Sequence, residues 1–143
     1  MLKNPFRENL SYQNIILIDD DDVNNLLNRQ FLTFNMPDAV ITTYQHAETV
    51  LEYLGSNKIQ TPDLILLDIN MPEMDGWEFL FYLERLNVNC DVMMLSSSVH
   101  WDDLERAKTY PRVKSYIEKP LTEDKIEHYI KERKIEPIRV DRY

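Results

Sequence analysis

The chain has 143 residues, 43% hydrophobic and 29% charged, with a formal net charge of -9, the profile of one soluble globular domain. That charge argues against a nucleic-acid surface, which needs clustered Lys and Arg. The single Cys90 excludes an internal disulfide. The first residues, Met1 to Gln13, have no apolar signal segment, and no apolar run approaches the roughly 20 residues that span a bilayer, so a cytoplasmic protein is expected.

Short apolar runs alternate with amphipathic helical patterns, which implies βα units and a mainly parallel sheet. Ile15–Ile18 reads as the first strand. Val23, Leu26, Leu27, Phe31 and Phe34 follow at helical spacing, predicting a first helix with this face buried, ended by Pro37. Ala39 to Tyr44 is rich in Val, Ile, Thr and Tyr and predicts a second strand. Ala47, Val50, Leu51 and Leu54 form a second helical stripe, with Gly55 as its expected C-cap.

Leu64–Leu67 is the third strand and Met71 to Gly76 a loop, after which Trp77, Leu80 and Leu83 begin a third helix. Val92–Leu95 is the fourth strand, and Trp101, Leu104 and Ala107 mark a short fourth helix. Val113 to Glu118 is the fifth strand. Ile126, Tyr129 and Ile130 mark a last helix, with Glu123 and Asp124 in its first turn and Lys131, Arg133 and Lys134 near its end, as the helix dipole favours. The domain core is expected over about 14–134, with short tails on either side.

Strand character suggests strand order. The first, third and fourth strands are apolar throughout, so both faces should be covered and they should be central. The second and fifth mix polar with apolar residues and are expected at the edges. A five-stranded, doubly wound α/β sheet of flavodoxin-like order 2-1-3-4-5 fits, and such sheets bind ligands at the carboxyl ends of their strands.

The polar residues that end these strands fall at that edge. Asp19-Asp20 follow the first strand, Asp68 the third, Ser96 the fourth and Lys119 the fifth. Asp21 and Asp22 are accounted for as acids that cap the N-terminus of the following helix and complement its dipole. Asp19 and Asp20 are not: adjacent carboxylates at a central strand end repel unless a cation sits there. Mg2+, which takes a few carboxylates, waters and a phosphate, is the natural cation. Asp68 beside such an ion can act as a nucleophile toward phosphorus, and the Asn70 backbone carbonyl could complete the metal shell. Ser96 can donate to a phosphoryl oxygen, with small Ser97 leaving room. Lys119 precedes Pro120, and an X-Pro bond readily goes cis, a turn that would aim the ammonium inward. Tyr116 reads as half-buried packing, or as a ring that moves when Ser96 moves. Trp77 and Trp101 read as core or interface residues, and His46, His100 and His128 lie in no metal-ligand spacing.

The chain resembles a response-regulator receiver domain of two-component signalling. The residues that carry the resemblance are Asp19-Asp20, then Leu-Leu-Asp68-Ile-Asn-Met-Pro-Glu-Met-Asp-Gly76, then Met-Leu-Ser96-Ser97, then Tyr116-Ile-Glu-Lys119-Pro120. The resemblance implies that Asp68 accepts a phosphoryl group from a histidine kinase or a histidine phosphotransfer protein. It implies that Asp20 binds Mg2+ directly and Asp19 mostly through water. Lys119 would pair with the phosphoryl group, and Ser96 and Tyr116 would carry the switch. The face that responds would comprise the fourth helix, fifth strand and last helix, about Trp101 to Lys134, and would bind a downstream protein of unknown identity.

The chain departs from the family pattern before the fifth strand. It has Tyr110-Pro111-Arg112-Val113-Lys114-Ser115 where many receivers have a Gly-Ala pair and a further Gly. Only Ile135 to Tyr143 follow the last helix, so a stand-alone receiver is expected, as a monomer or a weak phosphorylation-dependent homodimer. It is expected to be a signalling module with self-catalysed phosphorylation and dephosphorylation only, not an enzyme. A phosphatase with an aspartyl nucleophile would want an acid where Asn70 stands. The remaining alternative is a phosphorylation-independent pseudo-receiver scaffold.

Overall fold

The structure is a computed structural model that describes residues 11–131 and the backbone of 139–140. In chain order the elements are β1 (Asn14–Ile18), α1 (Asp22–Asn35), β2 (Val40–Tyr44), α2 (Ala47–Gly55), β3 (Leu64–Asp68), α3 (Gly76–Leu86), β4 (Asp91–Ser96), α4 (Trp101–Ala107), β5 (Val113–Glu118), α5 (Glu123–Lys125) and β6 (Arg139–Val140). Helix α5 continues as a π-helical turn, Ile126–Ile130. The basic residues expected at its end, Arg133 and Lys134, lie outside the described residues, as does most of the segment expected to form the C-terminal tail.

All strand pairs are parallel, and the first five strands take the order 2-1-3-4-5. The all-apolar strands are central because helices cover both of their faces. All five residues of β3 are buried. Mixed β2 is an edge, as expected, with Val40 exposed. The expected second edge is corrected: β6 pairs with β5 through Ser115↔Arg139 and Tyr116↔Val140. A two-residue strand carries too little alternation to be read from its residues.

Two apolar layers sandwich the sheet. One gathers Val50 and Leu54 of α2, Phe79, Leu80 and Leu83 of α3 and Ala107 of α4 on Ile16, Ile18, Ile65 and Leu67. The other packs Leu32 and Met36 with Ile126, Tyr129 and Ile130 on Ile15, Leu17, Leu64 and Leu66. Tyr12, just ahead of β1, is wholly buried in this second layer and donates its hydroxyl hydrogen to Asp91 Oδ2 at 2.7 Å. Each fully buried Leu or Ile contributes about 1.5–3 kcal/mol.

Helix α1 is turned over relative to expectation. Its apolar stripe, Val23, Leu26, Leu27, Phe31 and Phe34, is exposed, Phe34 to 81%. The sheet-facing side is held by Asn25 and Leu32 instead. Asn25 Nδ2 donates to the carbonyls of Asp19 (2.9 Å) and Tyr44 (3.2 Å), stitching α1 to the ends of β1 and β2. Amphipathic spacing establishes that a helix has an apolar face but not which way that face turns.

Two further details differ from the sequence reading. Gly55 ends α2 inside the helix, Ser56 is the cap, and the left-handed residue is Asn57, at φ 58°. Where many receivers have glycines, Tyr110 stacks on Trp77 with ring centroids 6.3 Å apart, and Arg112 Nε meets Glu84 Oε1 at 2.6 Å. These side chains hold the approach to β5 by contact. No helix among the described residues is long and apolar enough to cross a membrane.

Candidate functional site

The strand register brings the polar strand ends together. Ile18 pairs with Leu67, Asp68 with Leu95, and Ser96 with Glu118. Asp19, Asp68, Ser96 and Lys119 therefore share the carboxyl edge. The Lys119 N–H donates to the Ser96 carbonyl at 2.7 Å, and the Lys119–Pro120 bond is cis. The Lys119 ammonium reaches back across the edge to Asp19 Oδ2 at 3.1 Å and Asp68 Oδ1 at 3.3 Å.

The two acids it meets are nearly closed off from solvent, Asp19 at 3% and Asp68 at 4% exposure, whereas neighbouring Asp20 is exposed. Asp19 Oδ1 accepts from the Asp21 N–H at 2.9 Å. Asp21 is the N-cap of α1, accepting from the N–H groups of Val23 and Asn24, and Asp22 sits in its first turn, the roles expected of both. Asp68 Oδ1 accepts from the Asn70 N–H at 3.2 Å, which folds the Asn70 backbone against the carboxylate. Asp68 Oδ2 takes no hydrogen bond from the described residues.

Burial pushes the Asp68 carboxyl up to about 6; the Lys119 charge opposes that rise and the Asp19 charge adds to it. Burial acts to lower the Lys119 pKa, but Asp68 and Asp19 together outweigh it, so its ammonium is held charged beyond the ordinary lysine range. Ligand oxygens of Asp19, Asp20 and Asp68 lie within 4.8 Å of one another. Three carboxylates facing one ammonium leave a deficit of positive charge. An all-oxygen donor set of this kind suits a hard divalent cation such as Mg2+.

Ser96 stands at the same edge, with its hydroxyl engaged in its own loop. Its hydroxyl donates to the Ser98 carbonyl at 2.6 Å. Ser97 is exposed. Tyr116, expected to be half-buried, is wholly buried, in the apolar layer that holds Val113 and Ala107 of α4. Its hydroxyl makes long contacts to the Ser98 carbonyl (3.5 Å) and to Asp103 Oδ2 on α4 (3.4 Å). Trp77 is in the core and Trp101, on α4, is 71% exposed.

The parts played by three residues escaped the sequence reading. Asn25 anchors the Asp19 backbone. The Ser98 carbonyl is the shared acceptor that joins Ser96 to Tyr116. Gly76 opens α3 against the loop after Asp68: a Cβ there would stand 3.0 Å from Ile69 Cα and 3.1 Å from the Asp68 carbonyl oxygen. Gly76 alone had a visible signal, being one of only two glycines in the chain.

Comparison with known proteins agrees with this fold. The response regulator receiver domain family matches residues 15–131. The transcriptional regulatory protein MalR of Bacillus subtilis (strain 168) is 32% identical over 112 residues, covering 76% of this chain and 44% of its own. The chemotaxis protein CheY of the same organism is 27% identical over 116 residues, covering 78% and 89% respectively. A solved two-component response regulator from Cytophaga hutchinsonii superposes with a TM-score of 0.74 at 27% identity, covering 83% of this chain and 94% of its own. The chain spans under half the length of MalR and of the C4-dicarboxylate regulator DctR of Halalkalibacterium halodurans, 44% and 47% respectively. A parallel 2-1-3-4-5 sheet with three acids, a serine and a lysine at its carboxyl edge, matched over nearly all its described length, belongs to the response-regulator receiver domains of two-component signalling.

Proposed function

We propose that Asp68 is the phosphoryl acceptor, taking its group from a phosphohistidine on a histidine kinase or phosphotransfer protein. The observation that carries this reading is the division of labour at the carboxylate. Oδ1 is held by Lys119 and the Asn70 N–H, while Oδ2 takes no hydrogen bond from the described residues. Oδ2 attacks phosphorus, a P–O bond forms as the P–N bond to the donor imidazole breaks, and the ring nitrogen keeps the bonding pair. Lys119 is placed to hold the negative charge of the acyl phosphate. Asp19, Asp20, Asp68 and the Asn70 carbonyl are the groups that would hold Mg2+, which when bound neutralises charge on the phosphoryl oxygens.

The same reading assigns the output. The Ser96 hydroxyl exchanges its bond to the Ser98 carbonyl for a phosphoryl oxygen. That releases the acceptor shared with Tyr116, whose hydroxyl also meets Asp103 on α4. The packing of α4 on β5 is thereby biased between two arrangements, and a downstream protein reads the difference. The self-catalysed gain and loss of phosphate is the only chemistry assigned.

Intact mass after incubation with acetyl phosphate and Mg2+ tests the acceptor assignment. Wild type gains one phosphoryl group and Asp68→Asn gains none. Uptake by Asp68→Asn would sink the assignment. No uptake by a folded wild type, from acetyl phosphate or from a phosphorylated donor protein, would point to the phosphorylation-independent scaffold.

A further inference from the structure

A second set of metal-ligating side chains stands outside the acidic site. His46, Glu48 and Glu73 each offer one ligand atom, and these atoms lie within 4.8 Å of one another. His46 precedes α2 at its N-cap position but makes no capping bond with its side chain, and Glu48 lies in the first turn of the same helix. Glu73 comes from the loop between β3 and α3, far away in sequence. No hydrogen bond or ion pair from the described residues engages any of the three side chains.

Two carboxylates therefore converge with no positive side chain between them, beside an imidazole that can act as a neutral ligand. The imidazole selects the cation. Mg2+ and Ca2+ take oxygen donors, whereas imidazole together with carboxylate suits zinc and its transition-metal neighbours. A nitrogen and two oxygens around a tetrahedral zinc stand roughly 3.4 Å apart and leave one position for water. A set already gathered within 4.8 Å reaches that arrangement by small side-chain rotations. All three groups are at least partly open to solvent, so an ion can enter without any opening of the fold.

We propose that His46, Glu48 and Glu73 form a second metal site, specific for a divalent transition ion of the zinc class and separate from the Asp19, Asp20 and Asp68 cluster. Its position gives it a consequence. A metal there ties the start of α2 to the loop that leaves Asp68, because Glu73 sits between Asn70 and the Gly76 that opens α3.

Isothermal titration of the intact chain with Zn2+, in excess Mg2+ to occupy the acidic cluster, tests the site. Wild type is expected to bind one Zn2+ per chain. His46→Ala and Glu73→Gln should each weaken binding by about tenfold or more, with circular dichroism unchanged because both side chains are exposed. Asp20→Asn should leave zinc affinity unaltered. Amide shifts on zinc addition should centre on residues 46–48 and 73. The proposal is overturned if wild type takes up no zinc, if His46→Ala binds it as tightly, or if Asp20→Asn abolishes binding. Half-stoichiometric uptake with dimer formation in sedimentation would also overturn it, since the ion would then bridge two chains.

Discussion

Lys119 Nζ stands 3.3 Å from Asp68 Oδ1, joining the end of β5 to the end of β3 across the intervening β4. The same ammonium holds Asp19 at 3.1 Å. One cation thus serves two buried carboxylates. It is what keeps Asp68 from rising further above the carboxylate range, against burial and the Asp19 charge. Replacing Lys119 by Met should push the Asp68 pKa above its value of about 6, read as a shifted carboxyl titration by carbon NMR. It should also cost on the order of 3 kcal/mol of stability, the low end for breaking a buried ion pair, because Lys119 keeps 21% of its side chain exposed.

Asp68 itself is expected to destabilise the fold at neutral pH. Its folded pKa, about 6, lies above the ordinary 3.8, so the folded state binds the proton more tightly than the unfolded state. Below pH 4 both states are protonated and the residue is neutral in its effect. Between about pH 4 and 6 the unfolded chain releases the proton first and stability falls; above 6 the loss is complete. Asp68→Asn should therefore stabilise the protein at pH 7 by about 1–3 kcal/mol. The gain over wild type should grow from pH 4 to 6 and level off above, checked by urea denaturation across that window. A gain that grows toward acid instead would contradict the sign.

Gly76→Ala places a methyl 3.0 Å from Ile69 Cα and 3.1 Å from the Asp68 carbonyl oxygen, both backbone atoms that cannot swing aside. The loop after Asp68 must shift. The expected cost is about 1–3 kcal/mol, together with slower phosphoryl uptake from acetyl phosphate. Gly55→Ala should do neither: its nearest contact would be Leu86 Cδ2 at an ordinary 3.5 Å, and its backbone is helical.

Leu32 and Phe34, two residues apart on α1, should behave oppositely to their size. Leu32 is wholly buried and Phe34 is 81% exposed. Leu32→Ala should cost about 2–5 kcal/mol, while Phe34→Ala should stay within about 0.5 kcal/mol. Equilibrium unfolding of the two variants checks this, and a large loss for Phe34→Ala would mean that the stripe is covered.

The sequence alone determined the first five strands, that the first, third and fourth of them are central, and which polar residues end them. Apolar runs such as Leu64–Leu67 require two covered faces wherever they fold, and parallel βα units put every strand's carboxyl end at one edge, so Asp19, Asp68, Ser96 and Lys119 were legible as one group. The tertiary structure alone decided what depends on direction and distance. Spacing gave α1 an apolar stripe but could not orient it; the bonds of Asn25 to the Asp19 and Tyr44 carbonyls turn that stripe outward. β6 was too short to show a period, and Tyr116 is sealed in by the apolar layer that packs on its face of the sheet. Ser96 bonds to the Ser98 carbonyl, a backbone acceptor that no residue type reveals. His46 gains Glu73 as a neighbour only because two loops leave the same edge of the sheet.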